Sequence, residues 1–398
     1  MAQEVQLCLH ASAYEIEHAC SPVAHVEGLT TNERRQISVR LSWSRMGLLG
    51  YFKRIDALDD SLSRKPDDYE MLFERGRLFA SVYAYDRAIA DFTEALRLKP
   101  GATQALVDRG LSYVELNQFD EGIRDLRDAV QRAPGDPTAA PNLISAEMLA
   151  HRYDGAADDL SALMQAKGAT PQLLCKRAEA RESAGRFDDA LADVARALSI
   201  DPKFANALVV QGDIYLKMGK FDQAIAAHTQ VTILMPDDLL ARDLLGTDYA
   251  YAGRLDDAVT EFRKAIDISS QYAVAYYHLA AAYEAQGKLD DAANAFDDAI
   301  SRGPQNYSFR EARGFLELRL RQNQLALEDF NTVIKAAGRA RSLLGRAMVE
   351  ARLGNATAAD AAAAKRLDPN VESNVPDPFT RTNMTETTFS NQIQIAPY

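Results

Sequence analysis

Pairs of adjacent aspartates are the residues of this sequence whose type and spacing most resemble catalytic groups. Examples are Asp188-Asp189, Asp256-Asp257, Asp290-Asp291 and Asp297-Asp298. Two carboxylates held close together can act as general acid and general base. The first three of these pairs, however, lie at intervals that are multiples of 34. A pair that returns at a fixed interval is explained by negative charge at helix N-termini and by solubility, so we predict no catalytic residue.

A second candidate for chemistry is a group of cysteines and histidines near the N-terminus. It comprises Cys8, His10, His18, Cys20 and His25. Zinc prefers such ligands, but structural zinc sites commonly use pairs spaced by about two to four residues. The closer spacing here favours scattered ligands in a flexible leader, residues 1–34, over a metal site. A metal-dependent regulator and a true start at Met46 remain alternatives.

Other motifs of nucleophilic, metal or nucleotide chemistry are missing. His151, His228 and His278 stand far apart, without a cysteine or serine at a recognisable spacing. The sequence has no phosphate-binding loop, no glycine-rich dinucleotide motif and no Gly-x-Ser-x-Gly elbow. We therefore expect a protein that is not an enzyme and that needs neither a cofactor nor a metal.

Charge and composition restrict the classes of partner and the compartment that we expect for this protein. The chain has 398 residues and a formal net charge of −12, which disfavours nucleic acid as the main partner. Its three cysteines cannot form a disulfide framework, so a reducing compartment fits best. The first 30 residues lack the basic residues of a signal peptide, and no run of about 18 apolar residues exists. We expect a cytoplasmic protein without an integral membrane segment.

One short phrase recurs along the sequence: an aromatic residue or leucine, aspartate, any residue, then alanine or glycine. It begins at positions that rise in equal steps of 34, namely Tyr85, Phe119, Tyr153, Phe187, Phe221, Leu255 and Leu289. A fixed period of this length predicts a repeat architecture. In such an architecture each repeat buries its apolar face on its neighbours.

Apolar spacing within each repeat predicts two helices. Intervals of three and four residues between apolar positions are typical of amphipathic helices. Small residues recur at the eighth position, at Gly76, Gly110, Ala178, Gly212, Gly246, Ala280 and Gly314. Gly185, Gly219, Gly253 and Gly287 are placed to end the first helix with a positive φ. In the third repeat we expect Pro141 to start a shorter helix, with a loosened joint as the alternative.

These small residues, with the aromatic residues, alanines and closing prolines around them, resemble the signature of the tetratricopeptide repeat family. The resemblance covers about residues 69–369, as eight repeats and a shortened ninth that serves as a cap. It implies an all-α fold, a right-handed superhelical solenoid of antiparallel helix pairs. It also implies a concave groove, lined by the first helices, that binds a peptide or a protein segment.

The segments outside the repeats differ in composition. We interpret residues 35–68 as divergent N-terminal capping helices and residues 370–398, rich in Asn, Thr and Ser, as a disordered tail. Segment 34–54 carries six basic residues and no acidic one. It suggests an alternative function, a peripheral membrane or secretion-assembly factor that makes weak contact with an anionic membrane surface.

The resemblance also predicts which residues face the groove. In the best candidate stretch these are Asn206, Val209, Asp213, Lys217, Asp243, Thr247, Tyr251, Val274 and Tyr277. Apolar and aromatic side chains edged with carboxylates suggest a ligand with hydrophobic anchors and some positive charge. We therefore predict a non-catalytic scaffold or adaptor for a protein or peptide ligand. The segment 389–398, with its strand-like alternation, is an alternative occupant of the groove.

Overall fold

The computed structural model describes residues 49–355 and 358–371, and within these ranges it contains helices and no strand. The helices are α1 Leu49–Arg64, α2 Tyr69–Ser81, α3 Tyr85–Leu98, α4 Thr103–Glu115, α5 Phe119–Arg132, α6 Ala139–Leu149, α7 Tyr153–Lys167, α8 Pro171–Ser183, α9 Phe187–Ile200, α10 Ala205–Lys217, α11 Phe221–Leu234, α12 Leu239–Tyr251, α13 Leu255–Ile268, α14 Ala273–Ala285, α15 Leu289–Arg302, α16 Tyr307–Arg319, α17 Asn323–Ala337, α18 Ala340–Arg352 and α19 Ala358–Leu367. The predicted leader, the Cys8–His25 group and the segment 389–398 lie outside the described residues.

The described residues form two compact bodies. The N-terminal body ends at Arg186 and contains α1–α8, and the C-terminal body begins at Phe187 and contains α9–α19. In each body, neighbouring helices along the chain pack on one another. The first helices of successive repeats also touch, as α2–α4 and α4–α6 do in one body and α12–α14 and α16–α18 in the other. The predicted all-α solenoid of helix pairs is confirmed.

The recurring phrase marks where each second helix begins. In all seven copies the first residue of the phrase is the first residue of that helix, from Tyr85 of α3 to Leu289 of α15. The aspartate that follows lies in the first helical turn, as Asp86 and Asp222 do. Negative charge at this end of a helix is stabilised by the helix dipole. The phrase is therefore a helix-start signal.

The turn between the two helices of a repeat requires a left-handed residue. As predicted, Gly185, Gly219, Gly253 and Gly287 have φ between 72° and 77°. The residues at the same position of other repeats are Tyr83, Asn117, His151 and Arg321, with φ between 56° and 62°. Side chains with a Cβ are strained in this conformation. The repeat geometry thus imposes a left-handed turn even where glycine is absent.

Pairs of arginine and aspartate join the two helices of several repeats, a feature that the sequence analysis missed. Arg75 donates to both carboxylate oxygens of Asp91, at 2.8 and 2.6 Å. Arg109 donates to Asp125 in the same way, at 2.6 and 2.9 Å. Each pair is 16 residues apart. Paired hydrogen bonds of this kind are both strong and directional, so they fix the angle between the helices.

The third repeat departs from this pattern. Its first helix, α6, has 11 residues and Pro141 lies in its first turn, as expected. Leu143 replaces the arginine, which leaves the Oδ2 atom of Asp159 buried without a hydrogen-bond partner. The buried Glu147 lies beside this carboxyl and pairs with Arg127 of α5. Burial, the charge of Asp159 and a hydrogen bond to Asp159 raise the pKa of Glu147 to about 7, although Arg127 opposes the shift.

A cluster of buried apolar residues lies near each end of the described array. At the start, Leu62 of α1 lies in a buried cluster with Leu72 and Ala95. At the end, Val371 is fully buried in a cluster with Leu343 and Leu344 of α18. Packing therefore extends two residues beyond Pro369, where the sequence analysis placed the end of the array.

Replacing Arg321 by glycine is expected to stabilise the C-terminal body. Arg321 is exposed and has a φ of 62°, so glycine relieves backbone strain and removes no packing. We expect Arg321→Gly to raise the free energy of unfolding by about 1 kcal/mol. The matched control, Gly253→Ala, adds a Cβ to open space at a φ of +74°, and should lower it by about the same amount. Urea denaturation measures both, and equal signs would contradict the left-handed assignment.

The shifted pKa of Glu147 predicts a pH-dependent stability of the N-terminal body. A carboxyl whose pKa is raised from 4.5 to about 7 on folding stabilises the fold below pH 4.5, and this stabilisation is lost as the pH rises through 7. Glu147→Gln mimics the protonated form. It should raise the free energy of unfolding at pH 8 by on the order of 2–3 kcal/mol, with little change near pH 4.5.

The control for this experiment is Glu115→Gln, because Glu115 is an exposed residue of the same body. Because this side chain lies in water, the substitution should change the free energy of unfolding by no more than about 0.5 kcal/mol. If Glu147→Gln behaves like Glu115→Gln across the pH range, then Glu147 is not the buried acid described above.

Candidate functional site

The nine predicted binding residues lie on α10, α12 and α14, the first helices of the fifth, sixth and seventh repeats. Asn206 and Lys217 are exposed, and Val209, Asp213, Tyr251, Val274 and Tyr277 are half-buried, whereas Asp243 and Thr247 are buried. We call the surface of α10, α12 and α14 that carries these nine residues, and Leu240 with them, the first-helix face. The structure brings the nine residues to one series of neighbouring helices, but it leaves only some of them accessible.

Asp243 is engaged within the protein. Its Oδ1 accepts a hydrogen bond from His278 Nδ1 at 2.8 Å, and its Oδ2 accepts one from the Tyr272 hydroxyl at 3.4 Å. Burial and the adjacent Asp243 carboxylate raise the pKa of Tyr272, so this phenol stays a neutral donor. Asp243 therefore ties α12 to α14 and to the turn before α14. The role of its carboxylate is therefore to stabilise the fold, because both oxygens already accept hydrogen bonds within the protein.

Tyr277 and Val274 form an apolar wall on α14. The Tyr277 ring stacks on Phe309 of α16 at 5.2 Å, and also lies 5.9 Å from Phe296. Val274 packs against the same buried cluster, which contains Phe309 and Ile300. Burial is the main cause that raises the pKa of the Tyr277 hydroxyl. Most of this tyrosine is consequently part of the contact between the seventh and eighth repeats.

Leu240 is the most exposed large apolar side chain of the first-helix face. Asp238 precedes α12 and accepts hydrogen bonds from the backbone N–H groups of Leu240, at 2.7 Å, and Ala241, at 3.1 Å. This cap fixes the first turn of the helix. Leu240 projects from that turn and keeps 50% of its surface exposed. It lies in register with Asn206 of α10, one repeat earlier, and with Val274 of α14, one repeat later.

The far end of α12 meets a cleft. The Tyr251 ring stacks on Phe221 with 6.3 Å between centroids and 9° between planes. Beside Phe221 lies an open cleft of about 430 Å³, lined by Gly219, Lys220, Phe221, Asp222, Gln223 and Ala252. The cleft has an aromatic wall and both signs of charge. It offers room for a side chain of a segment that crosses the end of α12.

Beyond α14 the first helices carry charged groups that are bound to one another. The buried Glu311 of α16 accepts a hydrogen bond from the Ser342 hydroxyl at 2.5 Å. Arg339 and Arg341 lie 3.8 and 3.9 Å from its other oxygen. Glu284 of α14 pairs with Arg319. The sequence analysis missed this cluster, although Glu311 occupies the same repeat position as Tyr277, one repeat later.

Cys175 and the aspartate pairs that the sequence analysis weighed for chemistry lie on helices of the described part of the chain. There, no group of three or more His, Cys, Asp or Glu side chains is arranged to hold a metal ion. Cys175 is buried in α8. The Asp188-Asp189, Asp256-Asp257 and Asp290-Asp291 pairs all lie in the first turns of second helices.

Comparison with protein-family models accounts for the repeats. Models of the tetratricopeptide repeat match residues 55–103 and 107–171, 182–246 and 273–316, and a model described as a TPR repeat matches residues 246–287. The chain belongs to the tetratricopeptide repeat family. Its repeats support a role as a protein-interaction scaffold. A search of curated proteins gives no significant match.

Several solved structures are similar to parts of this tetratricopeptide array. A tetratricopeptide repeat protein from Parabacteroides merdae ATCC 43184 has 16% identity and a TM-score of 0.49, and the match covers 62% of this chain and 98% of that one. A crystal structure of MamA has 23% identity and a TM-score of 0.36, with coverages of 40% and 92%. MamA from Desulfovibrio magneticus RS-1 has 19% identity and a TM-score of 0.37, with coverages of 42% and 93%. The family assignment rests on the repeat models alone.

The basic segment 34–54 is only partly described. Residues 34–48 lie outside the described ranges, and residues 49–54 form the start of α1. Of its basic residues in α1, Arg54 pairs with Glu74 of the first tetratricopeptide repeat. Among the described helices, none has the length and apolar character needed to cross a bilayer.

Removing the carboxylate of Asp243 should destabilise the tetratricopeptide array. Asp243→Ala leaves His278 and Tyr272 without their acceptor inside the protein, which costs roughly 2 kcal/mol of unfolding free energy. Asn206→Ala, at an exposed position of the same face, should stay within about 0.5 kcal/mol of wild type. Chemical denaturation followed by circular dichroism measures both. An Asp243→Ala protein as stable as wild type would mean that this carboxylate is available to a ligand.

Proposed function

We propose that this protein is a non-catalytic scaffold that binds an extended protein or peptide segment along the first-helix face of α10, α12 and α14. The tetratricopeptide family provides the general role. The choice of this face depends on which of its side chains remain accessible. Asp243, Thr247 and most of Tyr277 are used inside the fold, so recognition falls to the residues around them.

The half-exposed Leu240 is the observation that carries the proposal. A large apolar side chain on the central helix of this face loses contact with water when a ligand covers it. Complete burial of a leucine is worth about 1.5–3 kcal/mol, so covering the exposed half of Leu240 is worth about 1 kcal/mol. Half-buried Val209, Val274 and Tyr251 extend the apolar surface to both neighbouring helices and towards the cleft. Together they favour a ligand with apolar anchor side chains.

Charge on the same face favours a ligand that also carries a basic residue. Asp213 of α10 keeps 24% of its side chain exposed. The Asp243 carboxylate is occupied by its hydrogen bonds with His278 and Tyr272, so it is not the charge that selects the ligand. Asn206 and Lys217 flank Asp213 on the exposed surface of α10. The ligand chemistry that fits is a segment with apolar anchors and some positive charge.

Capture from native lysate tests the proposal with the full-length protein as bait. The variant Leu240→Glu puts a charge in the first turn of α12, the central helix of the first-helix face. The matched control is Ile233→Glu, which makes the same change at a 71% exposed aliphatic residue of α11, a second helix. We expect a partner that wild type and Ile233→Glu retain and that Leu240→Glu loses by tenfold or more in quantitative mass spectrometry. Circular dichroism verifies that both variants are folded.

Two outcomes would count against this face. If Leu240→Glu captures the same proteins as wild type, the ligand lies elsewhere. If Ile233→Glu loses the partner and Leu240→Glu keeps it, the second helices carry the binding surface.

The wider proposal places this scaffold in the cytoplasm, in keeping with its few cysteines. The alternative, a membrane-docked or secretion-assembly factor acting through segment 34–54, rests on residues that lie largely outside the described ranges. In the described part of that segment, the pairing of Arg54 with Glu74 uses a charge that a membrane surface would need. For this reason we favour the scaffold.

A further inference from the structure

His228 of α11 occupies a core position that is apolar in the other repeats. The equivalent residues, at intervals of 34, are Phe92, Leu126, Leu160, Val194, Phe262, Phe296 and Phe330. His228 is 0% exposed. Its ring lies against Gly212 of α10, as the rings of Phe92 and Phe262 lie against the glycines of their own repeats. The fifth repeat has therefore replaced its apolar packing group with an ionisable one.

Every polar partner of this histidine is a hydrogen-bond acceptor. Nδ1 lies 2.6 Å from Oδ2 of Asp248, a residue of α12 that is also 0% exposed. Nε2 lies 3.2 Å from the backbone carbonyl of Val209 on α10. A second carboxylate, that of Asp213 on α10, has an oxygen 3.9 Å from Nε2. These groups come from both first helices that pack on α11.

With Asp248 ionised, the partners specify the protonation state of the ring. A neutral imidazole has one N–H and one lone pair, so it can donate to only one of two acceptors. With a carboxylate at Nδ1 and a carbonyl at Nε2, only the imidazolium ion satisfies both. Burial lowers the pKa of His228, but the hydrogen bond and charge of Asp248, the charge of Asp213 and the Val209 carbonyl outweigh it, so this pKa is raised.

Asp248 depends on the same proton. Its Oδ1 atom is buried without a hydrogen-bond partner, so His228 provides its compensation through Oδ2. Burial raises the pKa of Asp248, and the histidine opposes that shift. When the imidazolium loses its proton, a buried carboxylate faces a neutral ring. Removing one charge of a buried pair is strongly destabilising, because the other charge is then uncompensated.

We propose that His228 and Asp248 form a pH-sensitive lock between the fifth and sixth repeats. The lock is closed while His228 is protonated and weakens when the ring becomes neutral. It joins α11 to α12 directly, and through Val209 and Asp213 it also holds α10. Val209 and Asp213 belong to the first-helix face, so the charge of the buried His228 alters the interactions of two residues on that face. The inference goes beyond the proposed function and stands whether or not the face binds a peptide.

The sign of the pH effect follows from the raised pKa. A histidine that is more basic in the folded protein stabilises the fold fully below about pH 6.5, the pKa of an unperturbed histidine. This stabilisation is lost as the pH rises through the folded-state pKa. Asp213 from α10 and Asp248 from α12 are the charged groups that face the ring.

The test compares wild type with a double variant of the full-length chain, His228→Phe with Asp248→Leu. The two changes restore residues that other repeats carry at these positions, such as Phe262 beside Gly246 and Leu316 in α16. Urea denaturation is followed from pH 6 to pH 9. As the pH rises over this range, the unfolding equilibrium constant of wild type should increase relative to that of the variant. The total increase in this ratio should be up to tenfold for each pH unit by which folding raises the histidine pKa. Other titrating groups, such as Glu147, cancel in this ratio.

A second measurement needs no variant. In wild-type protein with 15N-labelled histidine rings, the ring of His228 should keep two protonated nitrogens to a higher pH than a histidine of the unfolded chain does. A ring that loses its second proton at or below the pH of an unfolded-chain histidine, or a ratio of equilibrium constants that stays constant from pH 6 to pH 9, would overturn the proposal. Because neither readout requires a ligand, failure of this test is distinct from failure of the proposed function.

Discussion

Close contact between the two helices of each repeat is the constraint on which the structure depends. A Cβ added to Gly76 would lie 2.7 Å from the Phe92 ring, one added to Gly246 would lie 2.6 Å from Phe262, and one at Gly314 would lie 3.0 Å from Phe330. Real Cβ atoms do not approach rings so closely, because interiors are packed to the density of crystals. The first helix can therefore sit on the ring of the second only where its own side chain is absent or very small. Once that contact is made, the remaining side chains of each helix have fixed neighbours.

The same constraint determines where polar groups can be buried. Around the apolar contact, the first and second helices leave room for a charged pair such as Arg75 with Asp91. Where a repeat departs from the pattern, the buried group becomes ionisable near neutral pH: Glu147 has a pKa of about 7, and the acceptors around His228 raise its pKa. In a linear array, stability is approximately a sum over repeats and their nearest-neighbour contacts. A proton gained or lost at one of these groups therefore changes one junction and leaves the others intact.

Regular features of this fold could be predicted from the sequence, whereas contacts between particular side chains could not. The start of each second helix and the glycine turns followed from the period of 34, because each depends on a few adjacent residues. The left-handed Tyr83, His151 and Arg321 were missed, since nothing in these residue types favours that conformation, and only their register reveals it. Asp243 was assigned to the ligand surface, yet it binds His278, 35 residues away on another helix. That contact depends on the reach and direction of two side chains, which periodicity does not contain.

Leu240 and Asp243 show that side chains exposed to a ligand can be distinct from the side chains that hold the helices together. Both residues lie within the first two turns of α12, and the same cap fixes the backbone that carries them. Asp243 turns towards α14 and is buried by its hydrogen bonds, whereas Leu240 keeps half of its surface in water. Exchanging an exposed side chain costs a folded protein little, so residues such as Leu240 and Asn206 can vary while the helix contacts persist. Under the proposed function, specificity is set by the few first-helix residues that the packing leaves unused, and under the proposed lock the charge of His228 sets how firmly their helices are held.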